Sequence, residues 1–244
     1  ESPYPTKTPF KNVWRLEEDG SLKYNGVEFV LKKPVEFSYV PTLISSLKDK
    51  LKENDMFIRP SIRAGIHVHV NMQQSTIGQV YNMLACYYPM ETVLTRFCGE
   101  GREGNLFCLR SRDALGVLSS LEKSLQNSDL AYLNTDSLRY AALNVRSLFN
   151  YGTLEFRALA TTPDLGLIED WCKIVQSLKE YSEKVNNGWD PMYHISGHGA
   201  RSWLMEVFGQ ELFEKLDYDD LEKDVIKDSR NVQFLSSLIA EAQT

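Results

Sequence analysis

The amino-acid sequence predicts an α+β fold, with a predominantly antiparallel sheet and helices packed on one side. Three observations carry this expectation. Short segments of alternating character come in neighbouring pairs beside turn residues, Asp19-Gly20 and Tyr24-Asn25-Gly26 early in the chain and Asn150-Tyr151-Gly152 late, as hairpins require. Helical stripes do not alternate one for one with strands: the order β-β-α-β-α-α-β-β-α, then helices, excludes a βαβ-repeating parallel sheet. The 244 residues are 43% hydrophobic, enough to fill the core of one large domain or two small ones.

Taken in order, residues 1–12 hold three prolines and little pattern, and are expected to form an extended arm or the remnant of a longer beginning. Val13 to Leu16 form a short strand, and Val27 to Leu31 a second in which Glu28 projects away from Val27 and Phe29. Leu43, Ile44, Leu47 and Leu51 recur at spacings of three and four, predicting a helix over 42–52. A strand over 62–71 follows, and then a helix capped by Ser75 with Ile77, Val80, Met83 and Leu84 as its stripe. Pro89 ends or bends that helix before 93–97 continue. Gly99 to Asn105 carries three glycines and three charges and is expected to be a mobile surface loop, with a helix over 111–126 after it.

Leu138 to Ala160 is expected to form two strands around a tight turn at Asn150-Tyr151-Gly152. Asp164 opens a helix to about Val185 whose stripe is Leu167, Ile168, Trp171, Ile174, Val175 and Leu178. Gly188 to Gly199 holds His194 and His198 and is expected to be a lid loop rather than a helix, because Gly197 and Gly199 interrupt it. Helices over 201–216, 218–227 and 231–242 complete the chain. The division expected is an α+β domain over 1–185 and a helical C-terminal extension over 186–244 packed on it.

The net charge of -6 and a pI near 5.4 argue against general nucleic-acid binding, because a phosphate backbone would meet a repelling surface. No run of 18 apolar residues is present, so the protein is expected to be soluble, in the cytoplasm where it was made. Cys86, Cys98, Cys108 and Cys172 are all at least ten residues apart and sit among apolar neighbours, which points to buried free thiols rather than a CxxC motif.

The chemistry concentrates in two stretches. In Gly65-Ile66-His67-Val68-His69-Val70-Asn71 the apolar residues alternate with polar ones, so a strand sends both histidines to one face. In Thr153-Leu154-Glu155-Phe156-Arg157 an acid and a guanidinium share a face in the same way. If the two faces coincide, the surface can hold a divalent metal and a phosphate. The bland readings are a solvated pair of histidines and a plain ion pair. Arg146 faces the same way if the hairpin register holds. The tryptophans are expected in the core or at its rim.

At these residues the sequence resembles the amidoligases of the glutamine synthetase-like carboxylate-amine ligase fold, a family of phages and mobile elements. The resembling pieces occur in the family's order: Trp14 with Glu18-Asp19-Gly20-Ser21-Leu22, Gly26-Val27-Glu28-Phe29-Val30, Arg63 to Val70, Arg139-Tyr140 with Leu143-Asn144, and Thr153 to Arg157 with its long helix. The resemblance implies a curved antiparallel sheet and a ligase that joins a carboxylate to an amine through an acyl-phosphate, using ATP and Mg2+ (or Mn2+). It implies Glu28, His67 and Glu155 as metal ligands, His69 near the nucleotide phosphates, and Arg157 on the transferred phosphoryl group, with Arg146 and Asp19 as weaker candidates. The partners implied are small-molecule, peptide or protein carboxylates and amines, a second copy of the chain, or viral proteins, in the host cytoplasm if the protein is phage-encoded. The family's opening Gly-x-Glu-x-Glu strand has no counterpart before Trp14, so the alternative is a catalytically inactive relative serving as a structural or interaction protein. A zinc hydrolase using His67, His69 and one of His194 and His198 is a third reading.

Overall fold

The computed structural model describes residues 13–18, 27–113, 115–127 and 129–242. The turns expected at Asp19-Gly20 and Tyr24-Asn25-Gly26, the arm over 1–12 and the candidate Asp19 lie outside these residues. In chain order the elements are β1 (Trp14–Glu18), β2 (Val27–Leu31), α1 (Val40–Glu53), β3 (Gly65–Asn71), α2 (Ile77–Tyr87), α3 (Glu91–Phe97) and α4 (Leu115–Gln126). They continue with β4 (Leu143–Asn144), α5 (Ser147–Tyr151), β5 (Thr153–Ala160), α6 (Leu165–Ser182), α7 (Asp190–His198), α8 (Ala200–Leu216) and α9 (Leu221–Ala242). The class is α+β as the element order requires, with all strand pairings between named strands antiparallel.

Among the described residues the strands form two sheets rather than one. β1 and β2 pair with each other, and Trp14, Leu16 and Phe29 cover Leu47 and Leu51 of α1 in a small separate core. β3, β5 and β4 form the second sheet, in that order, with β5 in the middle. Its apolar face lies on the main core: Phe156 packs edge-on against Tyr87 of α2 at 5.7 Å and Trp171 of α6 at 6.3 Å between ring centroids. Met83, Leu84, Ile174 and Leu178 belong to the same core, all essentially inaccessible. The other face of β3 and β5 carries the polar residues of the two chemical stretches.

Caps explain where the flanking helices start. Thr76, one residue beyond the Ser75 expected, accepts from Gln79 N while the Gln79 side chain accepts from Thr76 N, a reciprocal capping box. The Asp164 carboxylate accepts from the amides of Gly166 and Leu167 and opens α6. The C-terminal helices are part of the main core: Trp203, Leu204, Leu221, Val225, Val232 and Leu235 are all buried in it. The Glu222 carboxylate of α9 caps α8 at Ala200 N and Arg201 N, and Asp228 accepts from Thr92 N of α3. All four cysteines are free, three of them buried. Among the described residues no helix is long and apolar enough to cross a membrane.

Five local expectations are corrected. The hairpin over 138–160 is not two long strands: β4 holds two residues, because the Asn144 side chain accepts from Arg146 N in an Asx turn that bends the chain into α5. Gly152 ends α5 with φ 68°, and a Cβ there would clash with Gln73 Cγ, so both conformation and space favour glycine. The loop over 99–105 is anchored, because Arg102 is only 2% exposed and donates to carbonyls of β5. Residues 111–113 are a turn before α4, since Ser111 N and Oγ both donate to the buried Glu91 carboxylate. The expected lid loop over 188–199 is mostly helix α7: Pro191 sits in its first turn, where no amide is needed, and Gly199 at φ 87° stops it. The two last helices are one, α9. Residues 228–230 continue the helix: Asp228 accepts from Thr92 N of α3, and Ser229 Oγ donates back to the i−4 carbonyl of Val225, a bond the helix accommodates.

Candidate functional site

The face of β3 and β5 opposite the apolar one brings His67, His69, Glu155 and Arg157 together. The register places His69 directly across from Glu155, and the period of two puts His67 and Arg157 on the same side. Glu155 is 6% exposed and stands at the centre. Its Oε1 lies 2.6 Å from Arg157 Nη1, 3.2 Å from His67 Nδ1 and 3.7 Å from His69 Nε2. Its Oε2 accepts from Asn144 Nδ2 at 2.6 Å and from Ser147 Oγ at 3.1 Å. A buried carboxylate without such partners would be costly, and here both oxygens are satisfied.

These contacts set the charge states. Burial alone pushes the Glu155 carboxyl up, but the Arg157 guanidinium, then the two imidazoles and the Asn144 hydrogen bond, reverse this and hold it below the usual carboxylate range. Burial first, then Arg157, pushes His67 down to about 4. Burial likewise lowers His69. The site at neutral pH is therefore an ionised Glu155–Arg157 pair flanked by two neutral imidazoles. Thr153 Oγ1 lies 2.9 Å from His69 Nδ1, and Tyr151, 66% exposed, stands edge-on to the His69 ring at 5.8 Å. That bond fixes which His69 nitrogen faces Glu155.

Two of the residues expected at the site lie elsewhere. Arg146 starts α5, where its guanidinium pairs with Asp136 at 2.9 Å and Asn134 at 3.3 Å. It reaches the cluster only through its backbone, which Asn144 holds. Glu28 lies in the other sheet, exposed and paired in register with Glu17. His194 sits on α7, 3.2 Å from Glu206, with the His198 ring 5.0 Å away.

A divalent metal does not fit the described donors alone. Among the described residues no group of three His, Cys, Asp or Glu is arranged to hold a metal ion. The obstacle is visible at Glu155, where the oxygen shared by both imidazoles already carries a guanidinium at 2.6 Å. One carboxylate and two imidazoles are also far from the six-oxygen shell magnesium requires.

Sequence reasoning missed Asn144, Ser147, Thr153 and Arg102. Asn144 was legible as a turn residue three positions before a serine, since an Asx turn there directs its amide back toward β5. Arg102 had no local signal, because its partners are about 55 residues away in sequence.

The chemical cluster of this chain is thus a buried acid–guanidinium pair flanked by two neutral imidazoles on one sheet face. The chain belongs to the amidoligase family, whose model, described as "Putative amidoligase enzyme", matches residues 12–179. That match ends within α6, so the helices after it lie beyond the family segment. No curated protein and no solved structure matches the chain.

Proposed function

We propose that this amidoligase family member joins a carboxylate of an amino acid, peptide or protein to an amine, with ATP as the energy source and an acyl-phosphate as intermediate. A carboxylate is a poor electrophile and its oxygen a poor leaving group, so amide formation in water needs activation. A carboxylate oxygen attacks the γ-phosphorus, the β,γ-bridging bond breaks and ADP leaves with its electron pair. The amine nitrogen then attacks the carbonyl carbon, phosphate departs with the C–O electrons, and the nitrogen loses a proton. Charge gathers on phosphoryl oxygens in the first step and on the carbonyl oxygen in the second, and fixed cations stabilise both.

The observation that carries this reading is the charge balance around Glu155. Arg157 pairs with Glu155, both imidazoles are neutral, and the buried Arg102 guanidinium lies on backbone carbonyls of β5 with no carboxylate partner among the described residues, so the region carries positive charge beyond the Glu155 pair. Among the described residues Arg157 Nε is buried with no hydrogen-bond partner. An anion completes such a site, and a guanidinium suits a phosphoryl group because its fork of donors matches the oxygens. His69, beside the exposed Tyr151, is suited to the nucleotide phosphates. Magnesium enters this scheme as part of the nucleotide substrate, with phosphate oxygens and water as most of its ligands.

The test is calorimetric titration with a non-hydrolysable ATP analogue, with and without magnesium, beside Arg157→Met and Glu155→Gln. Binding lost in Arg157→Met and kept or strengthened in Glu155→Gln, which removes the opposing charge, is the expected result. Absence of binding by the intact chain overturns the ligase reading and favours a non-catalytic interaction protein on the same scaffold.

A further inference from the structure

The β3–β5 ladder is irregular at one place. Ile66 pairs with Leu159 but Val68 pairs with Phe156, so Arg157 and Ala158 together oppose His67. This is a β-bulge, one extra residue on β5, and it lies beneath the proposed anion-binding guanidinium. It lets Ala158 and Leu159 both enter the core, at 1% and 0% exposure, while Arg157 stays on the face of Glu155. A bulge leaves ladder groups unpaired, and consecutive strand carbonyls normally point to opposite edges.

Here both carbonyls are taken by one side chain. Arg102 Nε donates to Ala158 O at 2.6 Å and Nη2 to Arg157 O at 2.9 Å, while Arg157 N donates to Ala142 O on the β4 side. Arg102 is itself held: its loop is tied to β5 by Ala160 N on Cys98 O, and Cys108 Sγ and Asn105 N contact the Arg102 carbonyl. Gly65 provides the space, since a Cβ there would lie 3.1 Å from Arg102 Nη2 and 3.3 Å from Leu159 O.

We propose that Arg102 is a positioning residue: by clamping both carbonyls of the bulge it aims the Arg157 side chain at Glu155 and at an incoming anion, and Gly65 is the gap that admits the clamp. The importance given to Arg157 rests on the ligase reading, but the clamp itself is testable without it. A lysine carries its three N–H donors on a single nitrogen and cannot span both carbonyls as the guanidinium does, so Arg102→Lys is a partial loss and Arg102→Met a full one. Gly65→Ala disturbs the same clamp from the opposite side.

The experiment reads arginine Nε–H signals by 15N NMR in the full chain, assigning Arg157 by its disappearance in Arg157→Lys, with the nucleotide titration in parallel. Expected are a shifted Arg157 signal and hydrogen exchange faster by about tenfold in Arg102→Met, with smaller changes in the same direction in Arg102→Lys and Gly65→Ala. In the titration Arg102→Met weakens binding no more than Arg157→Met, and the double variant is no weaker than Arg157→Met alone. Unchanged Arg157 signals and exchange in folded Arg102→Lys and Gly65→Ala overturn the proposal, whether or not Arg102→Met folds. If the native chain binds no nucleotide, the ligase reading falls and the NMR result still decides the clamp.

Discussion

Replacing Arg157 by methionine is the sharpest probe of the Glu155 cluster. The substitution keeps an apolar stem out to about the Nε position but leaves Glu155, 6% exposed, without the guanidinium at 2.6 Å. Removing one partner of a buried pair costs about 3–5 kcal/mol, because the remaining charge stays out of water. That is a large fraction of the about 5–15 kcal/mol that holds a typical domain folded. The loss depends on pH. In the native chain His67 titrates at about 4 against 6.5 unfolded, so between these values the unfolded chain binds more protons and stability rises with pH, levelling above 6.5. Without Arg157 the His67 pKa rises and its imidazolium can pair with Glu155 in acid. Urea unfolding should therefore show the full deficit at pH 8 and a smaller one at pH 5.5. Adding Glu155→Gln removes the stranded charge while keeping an acceptor for Asn144, and the double variant should return to within about 2 kcal/mol of the native chain. A deficit at pH 8 below about 1 kcal/mol, or a double variant that loses a further separate increment, would refute the reasoning.

Three more perturbations follow from the same geometry. Glu91, buried under Ser111, has its carboxyl pushed up to about 8 from 4.5, first by burial. A raised folded pKa gives stability that is fully present below pH 4.5 and lost as pH rises through 8, by at most about 5 kcal/mol; Glu91→Gln should flatten that slope in denaturant midpoints between pH 5 and 9. Gly152→Ala forces a left-handed alanine against Gln73 Cγ and should cost more than about 1 kcal/mol, read as a lowered midpoint with unchanged slope. Thr153→Val removes the oxygen 2.9 Å from His69 Nδ1, and imidazole 15N shifts should report a change in the His69 tautomer balance while His67 is unaffected.

Much of this protein is legible locally. The amphipathic stripe after Asp164 puts Leu167, Ile168, Trp171, Ile174, Val175 and Leu178 toward the core; the last five are buried and Leu167 is half-buried against it. The alternation around His67, His69, Glu155 and Arg157 puts these four on one face, because the strand period of two leaves no other arrangement once the apolar set is inside. Signals that failed were those in which a polar residue had a distant use. The gap expected over 228–230 is continuous helix, with the Asp228 carboxylate used on Thr92 N of α3. Gly197 and Gly199 suggested a loop, although only Gly199 ends α7.

The sequence by itself determined the α+β class, the amidoligase resemblance and the residues of the polar face, since all three rest on periodicity and ordered short motifs. Tertiary structure alone decided that Arg146 turns to Asp136, that Glu28 belongs to another sheet, and that Arg102 crosses to β5. Those outcomes depend on which backbone carbonyls and carboxylates are left unpaired when elements distant in sequence pack together. Such vacancies exist only in the folded chain, so no local pattern encodes the partner that fills them.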